Sequence, residues 1–156
     1  MKTILMSMLL VFSSMSIAAV EMDIKELDGK QTKLSDYLGK WVVINYWATW
    51  CPPCREEMPE LQAFHDKHSE IDGVVIGLNT EVISEKQIEE FLSDYFVTYP
   101  NARVGPVSDT EFGVVPGLPT TFLVSPQGTV EARQVGGVSA KMIENFIQKW
   151  EANNKK

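Results

Sequence analysis

The chain is poor in cysteine and histidine and has no basic run. Its 156 residues include two cysteines and two histidines, and the formal net charge is −7. Because nucleic-acid-binding domains carry a basic patch or stripe, this charge argues against nucleic acid as a partner. The chain also lacks repeats and low-complexity linkers. A composition that is 44% hydrophobic and 22% charged therefore predicts one globular domain with a sizeable core.

The longest apolar stretch is confined to the N-terminus. It ends at Ser16-Ile17-Ala18, which has the small-residue pattern of a signal-peptidase site. We therefore expect a signal peptide over residues 1–18, with cleavage after Ala18 or, as second choice, after Ala19. The domain over 19–156 would then be periplasmic or otherwise exported, and soluble. An uncleaved membrane anchor is the alternative, but the stretch is short for a span and interrupted by serines.

The two cysteines form the motif Cys51-Pro52-Pro53-Cys54, directly after an apolar run that predicts a buried strand. The motif opens a predicted helix. A cysteine at a helix start lies among unpaired backbone N–H groups and near the positive end of the helix dipole, which favours the thiolate. We expect Cys51 to be the exposed nucleophile and Cys54 to lie deeper. Such a pair cycles between dithiol and disulfide by thiol exchange.

The two prolines inside the motif influence the direction of this exchange. Neither Pro52 nor Pro53 has a backbone N–H, so two donors that could stabilise the Cys51 thiolate are missing. A less stabilised dithiol form means a more reducing couple. The motif therefore predicts an electron donor.

Two other uses of the cysteines are less consistent with the sequence. A purely structural disulfide between Cys51 and Cys54 closes a very small loop and gives little chain-entropy stabilisation. A zinc site could add His65 and His68 as ligands. If one helix runs from Cys54 to His65, however, these residues lie roughly 16 Å apart, too far for one ion. We expect no metal, and both histidines are predicted to be solvated helix residues.

Two segments of the chain resemble a known superfamily. WATWCPPCREEMP, which begins at Trp47, is similar to the active-site segment of the thioredoxin superfamily, particularly of its exported TlpA-like and ResA-like branch. GLPTTFLVSPQGTV, which begins at Gly117, extends the resemblance toward the final helix. The resemblance implies an α/β thioredoxin fold, with a central mixed β-sheet flanked by helices, an N-terminal β-hairpin and a central α/β insert. It also implies a thiol-disulfide oxidoreductase that needs no bound cofactor.

Local patterns agree with this fold. Asp28-Gly29 in the middle of an alternating segment predicts the hairpin, and Ser84 followed by Gln87 predicts a capping box at a helix start. The C-terminal helix is predicted to have an apolar side formed by Met142, Ile143, Phe146, Ile147 and Trp150.

The resemblance also assigns substrate-binding residues. In this superfamily the proline before the strand of the second motif has a cis peptide bond and faces the dithiol, and Pro119 takes that position. The backbone of Leu118 could then pair with an extended substrate segment by strand addition. Trp47 and Trp50 are expected to form an apolar collar. The expected substrate-binding residues are Trp50, Pro52, Pro53, Leu118 and Pro119.

One departure from ordinary thioredoxins concerns the proton-transfer group. They keep a buried aspartate on the strand before the active-site cysteines, where this chain has Asn45, and an amide cannot take a proton from Cys54. In the ResA-like branch a glutamate just after the next strand lies beneath the dithiol, and Glu81 occupies the matching place. The resemblance therefore implies that Glu81 exchanges a proton with Cys54. A solvated loop residue is the alternative.

The predicted function is reduction of disulfides in envelope proteins, with apocytochrome c as one candidate client. In an oxidising compartment the two cysteines would stay a disulfide unless something reduced them, and the resemblance implies a membrane thiol oxidoreductase as the electron source. We expect a monomer. One alternative is a thiol oxidant or disulfide isomerase on the same fold. Another is a copper(I)-binding module, for which two thiols are suitable ligands, although a further histidine near them is then expected.

Overall fold

The computed structural model describes residues 19–154, so the signal peptide predicted over residues 1–18 lies outside the described range. Within it, none of the helices is long and apolar enough to cross a membrane. The helices are α1 Pro52–His68, α2 Glu85–Asp94 and α3 Ala140–Asn154. The strands are β1 Asp23–Lys25, β2 Gln31–Lys33, β3 Trp41–Trp47, β4 Gly73–Asn79, β5 Asn101–Arg103, β6 Asp109–Thr110, β7 Gly113–Val114, β8 Thr120–Val124 and β9 Val130–Val135.

A five-stranded mixed sheet forms the centre of the molecule, in the order β5-β4-β3-β8-β9. The strands β3, β4 and β5 are parallel, whereas β8 and β9 are antiparallel to their neighbours. The central strand β3 pairs with β4 along its whole length, from Trp41 opposite Gly73 to Trp47 opposite Asn79. This mixed sheet with flanking helices confirms the predicted thioredoxin fold.

The central strand is buried on both faces because its side chains alternate between cores on the two sides of the sheet. Val42, Ile44 and Tyr46 belong to one core, together with residues of β4 and β8. On the opposite face, Val43 packs in a second core with residues of α1 and α3, and Trp47 belongs to a third that includes both cysteines. The strand therefore carries the dithiol on a rigid support.

The hairpin and the insert are both present. Strands β1 and β2 pair in antiparallel fashion, and Gly29 in their turn has a φ of +88°, a conformation that glycine adopts easily. The Ser84 hydroxyl accepts a hydrogen bond from Gln87 N at 3.3 Å, and the Gln87 side chain accepts one from Ser84 N at 3.1 Å. These bonds confirm the capping box at the start of α2. After this helix, β5 adds an edge strand beside β4.

Helix α1 begins directly at the motif. Cys51 is its N-cap, and Pro52 and Pro53 occupy the first two helical positions, where fixed φ angles suit a helix. Pro59 lies inside the helix without ending it. The buried face of α1 consists of Cys54, Glu57, Met58, Leu61 and Phe64.

The prediction that both histidines of α1 are solvated is wrong. His65 is partly buried, and its Nδ1 accepts a hydrogen bond from the backbone N–H of Val75 in β4 at 3.2 Å. Burial lowers the pKa of His65. The ring of His68 lies with Nδ1 2.7 Å from Asp72 and Nε2 3.2 Å from Glu144. Both side chains are engaged because α1 packs against β4 and α3.

The apolar side of α3 is confirmed except at one residue. Ile143 and Ile147 are buried, and Phe146 and Trp150 contact the ring of Trp41 edge-on with centroid distances of 6.2 and 5.1 Å. Met142, also predicted on this side, is 48% exposed and does not pack into the core. It lies at the rim of the cleft between α3 and β9.

Candidate active site

Cys51 and Cys54 form a disulfide at the junction between β3 and α1, with their Cα atoms 5.3 Å apart. Cys54 is fully buried, as predicted, but Cys51 is only 2% exposed. The prediction of an exposed Cys51 is therefore wrong for this disulfide form. Both cysteines pack in an apolar cluster that also contains Met58 from α1 and Ile88 from α2.

The two tryptophans near the disulfide have different environments. Trp50 is 66% exposed and stands at the surface beside Pro52 and Pro53, which are also exposed. Trp47 is fully buried, stacks on Phe91 and donates a hydrogen bond of 3.0 Å from Nε1 to Asn101 Oδ1. It packs against the dithiol from the buried side, in the same apolar cluster as both cysteines. Trp50 remains as the exposed aromatic residue of the motif.

The peptide bond between Leu118 and Pro119 is cis, which confirms the prediction for this turn. Leu118 packs against the apolar cluster that contains both cysteines. The next residue, Thr120, pairs with Tyr46 near the end of β3, and the Pro119 carbonyl accepts a hydrogen bond from Gly136 N at 2.9 Å. The fold therefore brings the cis-proline turn to the dithiol, although the two motifs are far apart in the chain.

A buried carboxyl that sequence reasoning missed lies on the dithiol helix. Glu57 is 3% exposed and stands one turn after Cys54 on the same face of α1. Its Oε1 accepts a hydrogen bond from Asn45 Nδ2 at 2.8 Å, and its Oε2 accepts one from Val138 N at 2.9 Å. Burial raises the pKa of Glu57 to about 7, although both hydrogen bonds act to lower it.

Asn45 connects this carboxyl to the sheet. Its Nδ2 also donates to Thr121 Oγ1 at 3.0 Å, so the amide joins α1 to β8 through β3. Where ordinary thioredoxins keep an aspartate on the strand, this chain has the amide of Asn45 on β3 and the buried carboxyl of Glu57 on α1. Helical spacing could have identified Glu57 from the sequence. It is an acidic residue on the helix face shared by Cys54, Met58 and Leu61, and that face is buried.

Glu81 lies in the loop after β4 and holds the neighbouring loop before the dithiol. Its carboxylate accepts hydrogen bonds from Thr49 N at 2.6 Å and Thr49 Oγ1 at 3.0 Å, and a third from Asn79 Nδ2 at 3.1 Å. These donors occupy both carboxylate oxygens. Thr49 stands between Trp47 and Cys51, so Glu81 braces the segment that leads to the nucleophile. Proton transfer by Glu81 stays a prediction.

The described part of the chain contains no set of ligands that could hold a zinc ion. Over residues 19–154, no three or more His, Cys, Asp or Glu side chains come close enough together to hold a metal ion. One continuous helix separates Cys54 from His65, as the distance argument requires.

A redox disulfide of this spacing on this fold defines the class of the protein, which is that of the thiol-disulfide oxidoreductases. The chain belongs to the AhpC/TSA family, whose family model matches residues 16–133.

Comparison with named relatives indicates which type of thiol-disulfide oxidoreductase this chain is. The chain is 32% identical to the thioredoxin-like protein YneN of Bacillus subtilis over 130 residues, which cover 83% of this chain and 76% of that protein. It is also 32% identical to the thiol-disulfide oxidoreductase ResA of Bacillus thuringiensis over 128 residues, covering 81% and 72%. The crystal structure of a secreted thiol-disulfide isomerase from Corynebacterium glutamicum is similar with a TM-score of 0.74 and 28% identity, covering 80% of each chain. The chain is therefore a thiol-disulfide oxidoreductase of the ResA type.

Proposed function

We propose that this protein is an exported reductant, which passes electrons from the Cys51–Cys54 dithiol to disulfides of envelope proteins. The observation that carries the direction of electron flow is the start of α1. Cys51 is the N-cap, and the next two residues are both prolines.

An N-cap side chain normally accepts hydrogen bonds from the backbone N–H of the second or third helical residue. The second residue of α1 is Pro53, which has no N–H, and the third is Cys54. Only the Cys54 N–H is left to stabilise a Cys51 thiolate from these two positions. The dithiol form is correspondingly less stable, and the couple more reducing.

The reaction balances two electrons and two protons. The Cys51 thiolate attacks one sulfur of the substrate disulfide, that S–S bond breaks, and the other substrate sulfur leaves as a thiolate that takes up a proton. Cys54 then loses its proton and attacks Cys51 Sγ. This step forms the Cys51–Cys54 disulfide and releases the second substrate thiol, so the substrate is reduced and the protein oxidised.

We assign the proton of Cys54 to Glu57. A general base is most effective when its pKa lies near the working pH, and the pKa of Glu57 is raised to about 7. Glu57 is on the same face of α1 one turn away, whereas Asn45 cannot accept a proton. The exposed Trp50, Pro52 and Pro53, together with the Leu118 backbone and Pro119, form the proposed substrate-binding surface.

The proposed cycle needs an electron source outside the protein. Each turnover leaves a disulfide, and two electrons from a membrane thiol oxidoreductase would restore the dithiol. Similarity to a protein described as a secreted thiol-disulfide isomerase supports export, which would follow cleavage of a signal peptide over residues 1–18. We propose a monomer whose clients are envelope proteins with disulfides, apocytochrome c among them.

The test is the reduction potential of the pair, measured by equilibrating the purified mature protein against glutathione or dithiothreitol buffers. A value near or below about −250 mV supports a dedicated reductant, whereas a value near about −120 mV supports the alternative, an oxidant of exported proteins.

A matched pair of variants tests the reason for the potential. Pro53→Ala restores a donor at the second helical position and is expected to raise the potential by about 30 mV, the equivalent of one hydrogen bond to a charged group. Pro52→Ala is the control, because the first helical position does not donate to the N-cap side chain. Equal shifts in both variants would contradict the capping argument.

A further inference from the structure

The buried carboxyl of Glu57 comes close to the surface at one point. Its Oε1 points to Asn45 inside the fold, but its Oε2 accepts from Val138 N in the loop between β9 and α3. Gly137, the preceding residue, is exposed. A Cβ placed on Gly137 would stand 3.9 Å from Glu57 Oε2, and apart from its chain neighbours no other described heavy atom lies within 4 Å of it. An exposed residue without a side chain therefore lies beside Oε2.

The loop between β9 and α3 is held by hydrogen bonds on both sides of Gly137. Gly136 N donates to the Pro119 carbonyl at 2.9 Å, and Ala140 N donates to Glu60 Oε2 at 3.0 Å. Gly136 has a φ of +91°, which favours glycine, whereas Gly137 does not adopt a left-handed conformation. The backbone at position 137 therefore accepts a side chain.

We propose that Glu57 exchanges its proton with solvent across Gly137, so that this glycine acts as a positioning residue that keeps the buried carboxyl in contact with water. The inference rests on the proposed role of Glu57 as the proton acceptor of Cys54. The proton that Glu57 takes from Cys54 either returns to Cys54 when the dithiol is restored or leaves to solvent. Gly137 is exposed and has no side chain over Oε2, so it leaves the second route open.

Four other groups lie near Glu57, and only Glu60 among them is exposed to solvent. Cys54 lies deeper on the same helix, and Glu60, one turn further along it, is engaged with Ala140 N. Asn45 on β3 is buried and is not titratable. The hydroxyl of Tyr99, before β5, is buried, and its pKa is raised above its usual range by burial first and by the charge of Glu57 second. It cannot relay a proton to water as an anion near neutral pH.

The test follows the Glu57 carboxyl directly, by ¹³C NMR titration of the oxidised full-length mature chain. Gly137→Ala and Gly137→Leu add increasing apolar cover over Oε2. We expect the titration midpoint to rise from about 7, slightly for alanine and by about half a unit to one unit for leucine. We also expect the carboxyl signal to broaden or split near the midpoint in the leucine variant, because proton exchange becomes slow.

Gly117→Ala is the matched control. Gly117 is also exposed and without a left-handed φ, and a Cβ there meets nothing within 4 Å. It should leave both the midpoint and the line shape of Glu57 unchanged. If Gly137→Leu fails to fold, the alanine variant still decides, since 3.9 Å is an ordinary contact distance. A midpoint and line shape in folded Gly137 variants that match those of Gly117→Ala would overturn the proposal.

Failure of this inference can be told apart from failure of the proposed function. The titration uses no substrate, so it reads out the proton route even if the protein turns out to be an oxidant. Conversely, Gly137 variants with an unchanged Glu57 titration but slower reduction of a protein substrate would assign Gly137 to substrate contact, and would refute the proton route alone.

Discussion

The side-chain amide of Asn45 donates a hydrogen bond of 2.8 Å to the carboxyl of Glu57. One residue comes from the central strand and the other from the dithiol helix. The strand contributes an amide that cannot titrate, and the helix contributes a carboxyl whose pKa is raised to about 7. The titratable group of this pair therefore lies on α1.

Replacing Glu57 is expected to slow disulfide exchange. Glu57→Gln keeps the size and the acceptor oxygen but removes the base, so the rate of insulin reduction at pH 7 should fall by about tenfold or more. The rise of this rate with pH near neutrality should also disappear. Glu60→Gln, one turn later on α1, is the control. An unchanged pH–rate profile for Glu57→Gln would contradict the assignment of the base.

Stability should also depend on pH through Glu57. Its pKa is raised from 4.5 in the unfolded chain to about 7, so the folded state binds this proton more tightly. The stabilisation is fully present below about pH 4.5 and is lost as the pH rises through about 7. The shift corresponds to about 3 kcal/mol at most.

Urea unfolding of the oxidised protein between pH 4.5 and 8 measures this effect. The free energy of unfolding of the natural chain should decrease over this range relative to that of Glu57→Gln. Parallel curves for the two proteins would show that Glu57 is not the group that titrates.

The Glu81→Gln variant distinguishes two roles of Glu81, which are holding the Thr49 segment in place and transferring a proton. One glutamine oxygen can still accept from Thr49 N and Asn79 Nδ2, but the negative charge and the acceptor for the Thr49 hydroxyl are lost, so we expect a loss of stability of about 1–2 kcal/mol. If bracing is the whole role, the exchange rate falls without a shift in the midpoint of the pH–rate profile. Thr49→Val, which removes only the hydroxyl bond, should have a smaller effect on stability. A shifted midpoint in Glu81→Gln would instead support proton transfer by this residue.

Gly77→Ala should be strongly destabilising. A Cβ on Gly77 would overlap Asn101 Oδ1, the atom that accepts the hydrogen bond from buried Trp47. We expect a cost of about 2–4 kcal/mol in urea unfolding, from overpacking and the lost hydrogen bond. Gly117→Ala should change stability by less than about 0.5 kcal/mol, since its Cβ meets no atom. Equal stabilities of the two variants would be inconsistent with the close packing of Asn101 on Gly77.

Acid should weaken the contact between α1 and β4 through His65. Neutral His65 accepts the Val75 N–H, and burial lowers its pKa below 6.5. Its contribution is therefore present above pH 6.5 and is lost as the pH falls below that value. Between pH 7.5 and 5, the natural chain should lose about 1 kcal/mol more than His65→Gln, whose side-chain oxygen accepts at both pH values. Urea unfolding at the two pH values checks this, and an equal loss in both proteins would refute it.

The sequence alone determined the elements whose signals are local. The apolar run of β3, the turn at Gly29, the capping box at Ser84 and the Cys-Pro-Pro-Cys motif each act over a few residues, and each appears in the structure as expected. The resemblance added the cis bond at Pro119 and the mixed sheet. The local features depend on backbone preferences and on spacing within a few residues, whereas the cis bond and the mixed sheet came from the resemblance to a known fold.

Only the tertiary structure decided which carboxyl lies buried under the dithiol and which side chains face solvent. Glu57 has its raised pKa because β3 and the loop before α3 enclose it, and Val138 stands 81 residues away in the chain. Trp47 turns inward and Cys51 is covered for the same kind of reason. Helical spacing places Glu57 on the buried face of α1, but its desolvation and hydrogen bonds are set by what packs against it from distant segments.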